Sequence, residues 1–511
     1  MFNAIESGKI KAVWIMATNP AVSLPESERI NRILANCPMV VVSDCIADTD
    51  TTRHANVLLP AQGWSEKSGT VTNTERRISR QRRIMPSPGQ AKPDWWIISE
   101  VAKRMGFSDA FDYRTELDIF NEYAAQTELG NQANNPTRQL RLERLSDMSP
   151  EAYRDLVPAQ WPVSEGKDAT RLFSDGQFST PNKKARFIAV DLQPTALTPS
   201  ERYGLILNSG RIRDQWHTMT RTGLSATLNT HDSEPLLDMH PFDASDRGIR
   251  DKQLVRVISQ HAEQIFRVNV TSQSAVGQCF APIHWNGTNG SGGVVDALIA
   301  ANTDPISGQP EFKATPIEVK PVIIRTTLDI ASKLPLSRHI IVSAEPRYWT
   351  KRKADGGYVY RLEFSRKKDD IYEHVKSLLH EEDCASVISA KPNSTLSVVM
   401  NAQSANLAYV LRETESTLDE TDVSALLASD FALNDVHAFL NGTLKARSPI
   451  ICTCKQVSEA DIASAITDAE NSVEAISTLT GAGTGCGSCM SELRQCVKRV
   501  CADKPAQRKV S

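Results

Sequence analysis

The stretch from Ile450 to Cys501 constrains this chain more than any other, because six of its ten cysteines fall there. They run Cys452-Thr453-Cys454, then 31 residues, then Cys486-Gly487-Ser488-Cys489. Four thiolates spaced as C-x-C and C-x-x-C suit one tetrahedral zinc or the two irons of a [2Fe-2S] cluster, since both take four sulfur ligands. The pattern predicts a metal centre held by Cys452, Cys454, Cys486 and Cys489. Gly481, Gly483, Gly485 and Gly487 favour iron, because a chain without Cβ atoms lets backbone N–H groups come close to cluster sulfurs. Ser458 to Asp461 reads as a capping signature opening a helix to about Glu470, and a last helix follows Cys489. Cys496 and Cys501 fall on that last helix and are expected to carry no ligand duty.

These residues resemble the bacterioferritin-associated-ferredoxin type of [2Fe-2S] domain, a small helical fold whose four cysteines sit on loops. The resemblance implies iron rather than zinc. With 511 residues the chain has room for about three or four domains. A formal net charge of −3 gives no reason to expect a nucleic-acid partner. No apolar run approaches ~18 residues, so no membrane span is expected. Met1 to Ile10 lacks the pattern of an export signal, and the clustered cysteines read as metal ligands instead of disulfides. The expected location is the cytoplasm.

Lys11 to Ala17 and Pro38 to Val42 read as strands around a helix from Pro25 to Asn36, in which Ile30, Ile33 and Leu34 have helical spacing. Strand, helix and strand in this order predict part of a doubly wound parallel sheet. Ligands of such sheets sit at the carboxyl ends of the strands, where Asn19 and Asp44 fall. Taken alone, Asn19-Pro20 reads more readily as a turn and Asp44 as a helix cap. The run that follows changes the balance. Asn19-Pro20, Asp44, Ala55-Asn56-Val57-Leu58-Leu59-Pro60 and Trp64 to Arg77 (WSEKSGTVTNTERR) together, in order, resemble the cofactor-proximal region of the molybdopterin oxidoreductases. That family carries a bis-guanine-dinucleotide cofactor, and the resemblance implies contacts to it at Asn19, Ser43, Asp44, Lys67 and Asp94. A cation suits a pyrophosphate, and carboxylates suit the amino groups of guanine or pterin. Arg76, Arg77, Arg80, Arg82 and Arg83 read first as a solvated face, with the cofactor phosphates or an anionic substrate as the rival. Asp94 to Met105 reads as a helix stopped by Gly106.

Residues 116–200, with a polar run from Asn131 to Pro136 and a loop at Gln177 to Lys184, read as a connecting and covering segment without chemistry of its own. Tyr203 to Asn208 is a strand, and Ser209, Gly210 and Arg211 after it offer donors and a cation for phosphate. With Trp216, His217 and Thr218 this run resembles the T-G-R-x-x-x-x-W-H-T motif of the same family, Ser209 standing for the usual threonine. Leu254 to Ile258, Ile265 to Val270 and Gln278 to Ile283 alternate as short strands of a compact barrel. The family has a six-stranded double-psi β-barrel at this place. Ala281 to Trp285 and Asp304 to Lys313 match further family segments, and the resemblance places Trp285 and Lys313 against the second pterin. Asp296 stands where related enzymes often carry asparagine, and a carboxylate does not donate a hydrogen bond unless protonated. Beyond the barrel, His339 to Ser343 reads as a strand, Ile371 to His380 as a helix, Thr395 to Met400 as a strand, and Ala405 onward as helical. Cys384 stands alone, Arg366, Lys367 and Lys368 read as surface charges, and the region reads as a spacer.

The expected architecture is α/β and β. A partial α/β domain spans 1–115, the connecting segment 116–200, the dinucleotide-binding barrel 201–325, an α/β spacer 330–448 and the [2Fe-2S] domain 449–511. Among molybdopterin enzymes a C-terminal module of this kind is a feature of cytoplasmic assimilatory nitrate reductases. That likeness implies reduction of nitrate to nitrite with Mo-bis(molybdopterin guanine dinucleotide) and a [2Fe-2S] cluster, and a flavoprotein reductase or ferredoxin as electron donor. Family members also begin with a cysteine cluster for a [4Fe-4S] centre and carry a cysteine or selenocysteine on molybdenum. Cys37 and Cys45 fit neither pattern. The expectation is therefore a C-terminal part, inactive alone, whose molybdenum ligand and [4Fe-4S] centre belong to a full-length form. A formate dehydrogenase-type enzyme and a non-catalytic electron-transfer or cofactor-carrying subunit are the other readings.

Overall fold

The structure is a computed structural model that describes all residues except 132–137, 165–166, 169–170, 190, 192, 381–384, 392, 401–404, 414–422, 445–447, 468–470 and 504–511. Cys384, most of the polar run to Pro136 and the expected helix end at Glu470 lie outside the described residues.

Strand β1 (Ala12–Met16), helix α1 (Ser27–Asn36) and strand β2 (Met39–Asp44) follow in the expected order, and β3 (Val57–Pro60) extends them into a parallel sheet, β1-β2-β3. Helix α1 buries Ile30, Ile33 and Leu34, steps of three and four residues that put one apolar stripe on the sheet. Val13, Ile15, Val40 and Val42 complete that core. The register pairs Met16 with Ser43 and Asp44 with Pro60, so the three carboxyl ends open on one edge. Helix α2 (Asp94–Arg104) follows, and Gly106 takes a left-handed φ of 94° just beyond it, as a helix stop requires. Within the arginine run, Arg80 stacks on Tyr153 at 3.9 Å and Arg76 on Trp161 at 5.3 Å, while Arg82 and Arg83 are exposed.

Strands β4 (Leu205–Gly210), β5 (Leu236–Met239), β6 (Leu254–Ile258), β7 (Glu263–Val270), β8 (Gln278–Pro282) and β9 (Thr315–Pro321) close a six-stranded barrel in the order β5-β7-β6-β9-β4-β8. The pairs β5-β7 and β4-β8 are parallel and the others antiparallel. Alternate residues point inward, and Leu205, Leu207, Val255, Val257, Phe266 and Val268 belong to one buried core.

Strands β10 (Thr326–Ser332), β11 (Tyr348–Ala354), β12 (Gly357–Phe364), β13 (Ala385–Lys391), β14 (Ser394–Met400) and β15 (Ala405–Glu413) form an antiparallel sheet ordered β11-β12-β10-β15-β14-β13. Three expectations are corrected here. The run from Ala405 is a strand, not a helix. Leu407, Tyr409 and Leu411 enter the core on one face of the sheet and Ala408 and Val410 the core on the other, and a strand buried on both faces shows no alternation to read. His339 to Ser343 lies in a helix, Arg338–Ser343, which Ser337 caps by accepting from the Ile340 N–H. A short apolar run reads alike as strand or helix, and here the cap decides. Lys368 is buried at the start of helix α3 (Lys368–Leu379), whereas Arg366 and Lys367 are exposed.

Buried charges join barrel and sheet. Arg267 of β7 reaches Glu234 and Glu363, each at 2.7 Å, and Arg361 reaches Asp329 at 2.7 Å. Arg412 adds a second cation to Asp329 at 2.9 Å.

The C-terminal cysteines lie in a hairpin (Ile450–Cys452 with Val457–Ser458) and helices α4 (Glu459–Ala465), α5 (Val473–Thr480) and α6 (Met490–Asp503). Ser458 and Asp461 form the expected capping box. Helix α4 stops earlier than expected because Ile466 turns extended and buries its side chain in the core of this module.

Candidate functional site

A cavity of about 390 Å³ opens where the carboxyl ends of β1 and β2 face the loop after β4. Asn19, Ser43, Asp44, Lys67, Asp94, Trp216, His217 and Thr218 all line it, although they come from segments up to 199 residues apart. Asn19 accepts from the Thr51 hydroxyl at 2.6 Å and donates to the Thr218 hydroxyl at 3.2 Å, tying sheet to barrel. The Ser43 hydroxyl accepts from the Trp14 indole at 2.9 Å. Asp44 accepts from the Ile46 N–H at 3.0 Å and so closes a turn instead of capping a helix. Lys67 and Asp94 answer one another at 2.7 Å, with side chains 28% and 32% exposed. A pair so exposed is worth about 0–1 kcal/mol, so a phosphate can take over the lysine at small cost.

The backbone around the cavity is strained. Ala17, His217 and Met219 have φ of 54°, 45° and 57°, a left-handed conformation that costs roughly 1–3 kcal/mol for residues other than glycine. His284, which no motif reading singled out as a site residue, holds the His217 turn. Its Nε2 accepts from the Ile212 N–H at 2.9 Å and its Nδ1 donates to the His217 carbonyl at 2.6 Å. Burial holds its pKa below the usual 6.5, in keeping with this neutral tautomer. Arg221, Thr220 and Cys45 also line the cavity. No spacing or motif marked them. None of the five arginines from Arg76 to Arg83 lines it.

The other expected contacts lie away from this cavity. The Ser209 hydroxyl donates to the Phe312 carbonyl at 2.8 Å, and Lys313 donates to the Ser209 carbonyl. Gly210 lies against Phe280, whose ring a Cβ would meet at 2.7 Å, so close packing alone demands glycine. Arg211 sits 5.7 Å from the centre of the Trp216 ring. Trp285 is 2% exposed and is part of the packed interior. Asp296 is also buried, its Oδ1 has no hydrogen-bond partner among the described residues, and burial pushes its carboxyl up to about 7, opposed by Lys313. Below about pH 7 the carboxyl keeps its proton and can donate as an asparagine does, and above it the acid only accepts. The native state thus holds a proton that the unfolded chain releases near 3.8, so the group's contribution declines as pH rises from about 4 to about 7. Asp296→Asn is expected to raise the melting temperature at pH 8 and leave it nearly unchanged at pH 4, as read by thermal denaturation.

The four expected metal ligands share a second cavity of about 350 Å³ with Arg213, Asp214, Thr227, Leu228, Thr453 and Ser488. Cys452 Sγ lies 3.8 Å from Cys454 Sγ, which lies 3.7 Å from Cys486 Sγ, close to the ~3.8 Å between sulfurs bonded at ~2.3 Å to one tetrahedral ion. Among the described residues no group of three or more His, Cys, Asp or Glu is drawn together on a single point. The surroundings favour the thiolate at Cys452 and Cys486 and oppose it at Cys454 and Cys489. Burial pushes the Cys452 thiol up, but the N–H groups of Gly483 and Lys455 and the neighbouring thiols outweigh it, and the pKa falls below 9.0. Ser488 lowers that of Cys486, whereas burial raises Cys489 to about 11. A Cβ on Gly485 would stand 2.9 Å from Cys454 Sγ, so this loop is shaped for bulky sulfur atoms. The donor set and its cradle fit a four-sulfur centre.

Sheet and barrel thus frame one cavity, and the cysteine module and the loop after β4 frame a second beside it. Residues 1–104 match the Molybdopterin oxidoreductase family, residues 205–316 the Molydopterin dinucleotide binding domain, and residues 450–499 the BFD-like [2Fe-2S] binding domain. The chain belongs to the molybdopterin oxidoreductase family. It is 38% identical to a nitrate reductase of Klebsiella oxytoca over 97% of this chain and 56% of that protein. It is 35% identical to a nitrate reductase of Shewanella frigidimarina over 98% of this chain and 56% of that protein. An F420-dependent formate dehydrogenase subunit alpha of Methanocaldococcus jannaschii is 32% identical over 62% of this chain and 44% of that protein. The chain thus spans about half the length of the curated relatives it matches.

Proposed function

We propose that this chain serves in a molybdenum-dependent assimilatory nitrate reductase, holding the guanylated pterin cofactor and receiving electrons through a [2Fe-2S] cluster. The observation that carries the reading is the reach of the likeness. Two nitrate reductases align over 97% and 98% of the chain, whereas two further nitrate reductases align over 63% and the formate dehydrogenase subunit over 62%.

When bound, Mo-bis(molybdopterin guanine dinucleotide) supplies a metal that accepts an oxygen atom from the substrate and stores two electrons. The chain's own residues bind and orient. Lys67, released from Asp94, neutralises a pyrophosphate. Asp44 and Asp94 accept from guanine or pterin amino groups. Asn19, Ser43, Trp216, His217 and Thr218 shape the wall. Around the barrel, Ser209, Gly210, Arg211, Trp285, Asp296 and Lys313 serve the second pterin in this reading. Cys452, Cys454, Cys486 and Cys489 hold the [2Fe-2S] cluster in a small helical domain at 449–511. It takes electrons from a flavoprotein reductase or ferredoxin. The barrel at 201–325 has double-psi connectivity in this reading, with 1–115 as the partial α/β domain, 116–200 as cover and 330–448 as spacer. The reaction in this reading is nitrate to nitrite in the cytoplasm. Among the described residues, no helix is long and apolar enough to cross a membrane.

An antibody against this chain is expected to remove viologen-driven nitrate reduction from an extract of the source cells and to spare formate oxidation. Removal of formate oxidation instead would replace nitrate by formate. Lys67→Ala combined with Asp44→Ala is expected to lower the GMP released from the purified, cofactor-loaded protein by acid at least tenfold. Unchanged GMP would take both residues out of the site.

A further inference from the structure

Arg213 lies between the two cavities. It belongs to the loop after β4, five residues of which, 213–217, run from the cysteine cavity to Trp216 and His217 in the cofactor cavity. Its side chain is 10% exposed. The guanidinium donates to the Ile451 carbonyl at 3.1 Å, to the Thr453 hydroxyl at 3.2 Å, to the Asp214 carboxylate at 2.9 Å and to the Glu492 carboxylate. Thr453 donates in turn to Asp214 at 2.9 Å. Ile451 and Thr453 flank Cys452, and Glu492 sits in the first turn of α6, just past Cys489. One cation therefore grips both cysteine-bearing segments from the barrel side. A rigid fork of five N–H donors makes this set of contacts, and a lysine ammonium cannot reproduce it.

The charge matters as well as the grip. Reducing a cluster adds a negative charge, and a cation held in a partly desolvated wall of the same cavity stabilises the reduced state more than the oxidised one. A nearby carboxylate acts with the opposite sign.

Resting on the [2Fe-2S] reading above, we propose that Arg213 is a positioning residue that docks the iron-sulfur module on the barrel and, by its charge, raises the reduction potential of the cluster, with Glu492 opposing it. The full chain carrying its cluster, with iron content measured first, is titrated potentiometrically and followed by EPR. Arg213→Gln is expected to lower the midpoint, so that the ratio of reduced to oxidised cluster at the wild-type midpoint falls about tenfold, or about 59 mV for one electron. Glu492→Gln is expected to move the midpoint upward, and Arg213→Lys, which keeps the charge, to leave it near the wild-type value. A purely structural clamp would shift Arg213→Gln and Glu492→Gln in the same direction, since both loosen the junction. Equal shifts, or no shift in either at full iron content, would overturn the proposal. Should Arg213→Gln fail to fold, an upward shift in Glu492→Gln with none in Arg213→Lys supports it, and any other pair of results overturns it. Absence of iron from the wild-type chain would instead sink the [2Fe-2S] reading itself.

Discussion

Arg267→Ala is expected to destabilise the unit formed by the barrel and the antiparallel sheet by about 3–5 kcal/mol, the usual cost of leaving buried charges without their partner. The arginine is 13% exposed and stands between Glu234 and Glu363, at 10% and 5%. Truncation leaves both carboxylates in place. Thr327 still donates to Glu363 at 2.9 Å and Arg361 remains 3.7 Å from Glu234, which is too little to replace a direct pair. Chemical denaturation of the full chain reads the loss. Arg267→Met combined with Glu234→Gln and Glu363→Gln is expected to recover most of it, because removing both signs of charge removes the desolvation cost as well. A recovery no better than that of Arg267→Met alone would show that packing, not charge, holds this junction. Acid attacks the same network through Asp329. Burial pushes its carboxyl up, but Arg361 and Arg412 outweigh this and hold it below the usual 3.8. Its contribution is present above the unfolded pKa and is lost as pH falls through the lower folded value. Asp329→Asn is expected to flatten the acid limb of the stability profile.

The second large effect is all or none. Cys452→Ser and Cys489→Ser are each expected to abolish bound iron and the ferredoxin-type EPR signal of the reduced protein, whereas Cys496→Ala and Cys501→Ala retain both. Cys452 and Cys489 are buried in the core of the C-terminal module and also face the second cavity. Loss of one therefore removes a sulfur that no neighbour replaces. Cys496 is buried without facing that cavity and Cys501 is exposed. A cluster that survives Cys489→Ser would remove this residue from the ligand set.

Much of the candidate site was legible in the sequence because its chemistry is carried by local patterns. Asn19-Pro20, Asp44, the run from Trp64 to Arg77 and the run from Ser209 to Thr218 are contiguous, and each retains its meaning whatever the rest of the chain does. The expected contacts at Asn19, Ser43, Asp44, Lys67, Asp94, Trp216, His217 and Thr218 fall on one cavity for that reason. Arg221 and His284 were not singled out although both lie in or beside quoted motifs, because the motifs do not say which of their residues turn toward the cavity. Arg221 comes to the wall through a turn with left-handed residues, and His284 matters through two backbone groups in a distant loop. In the 330–448 region two elements were misread, the helix Arg338–Ser343 because a short apolar run fits strand and helix alike, and β15 for another reason. Alternation is visible only when a strand has a wet face, and β15 has none.

By itself the sequence determined eight of the residues that line the first cavity, the parallel start of the chain, the compact barrel, and four sulfurs in two close pairs. Spacing of this kind depends on bonded neighbours, so it needs no knowledge of the fold. Only the tertiary structure decided that Arg213 bridges the cysteine module to the loop of the first cavity, that Lys67 rests on Asp94, that burial raises the Asp296 carboxyl to about 7, and that Arg267 joins barrel to sheet. Each of these depends on burial and on partners brought together from distant parts of the chain, and through-space electrostatics in a desolvated interior leave no periodic trace in the order of the residues.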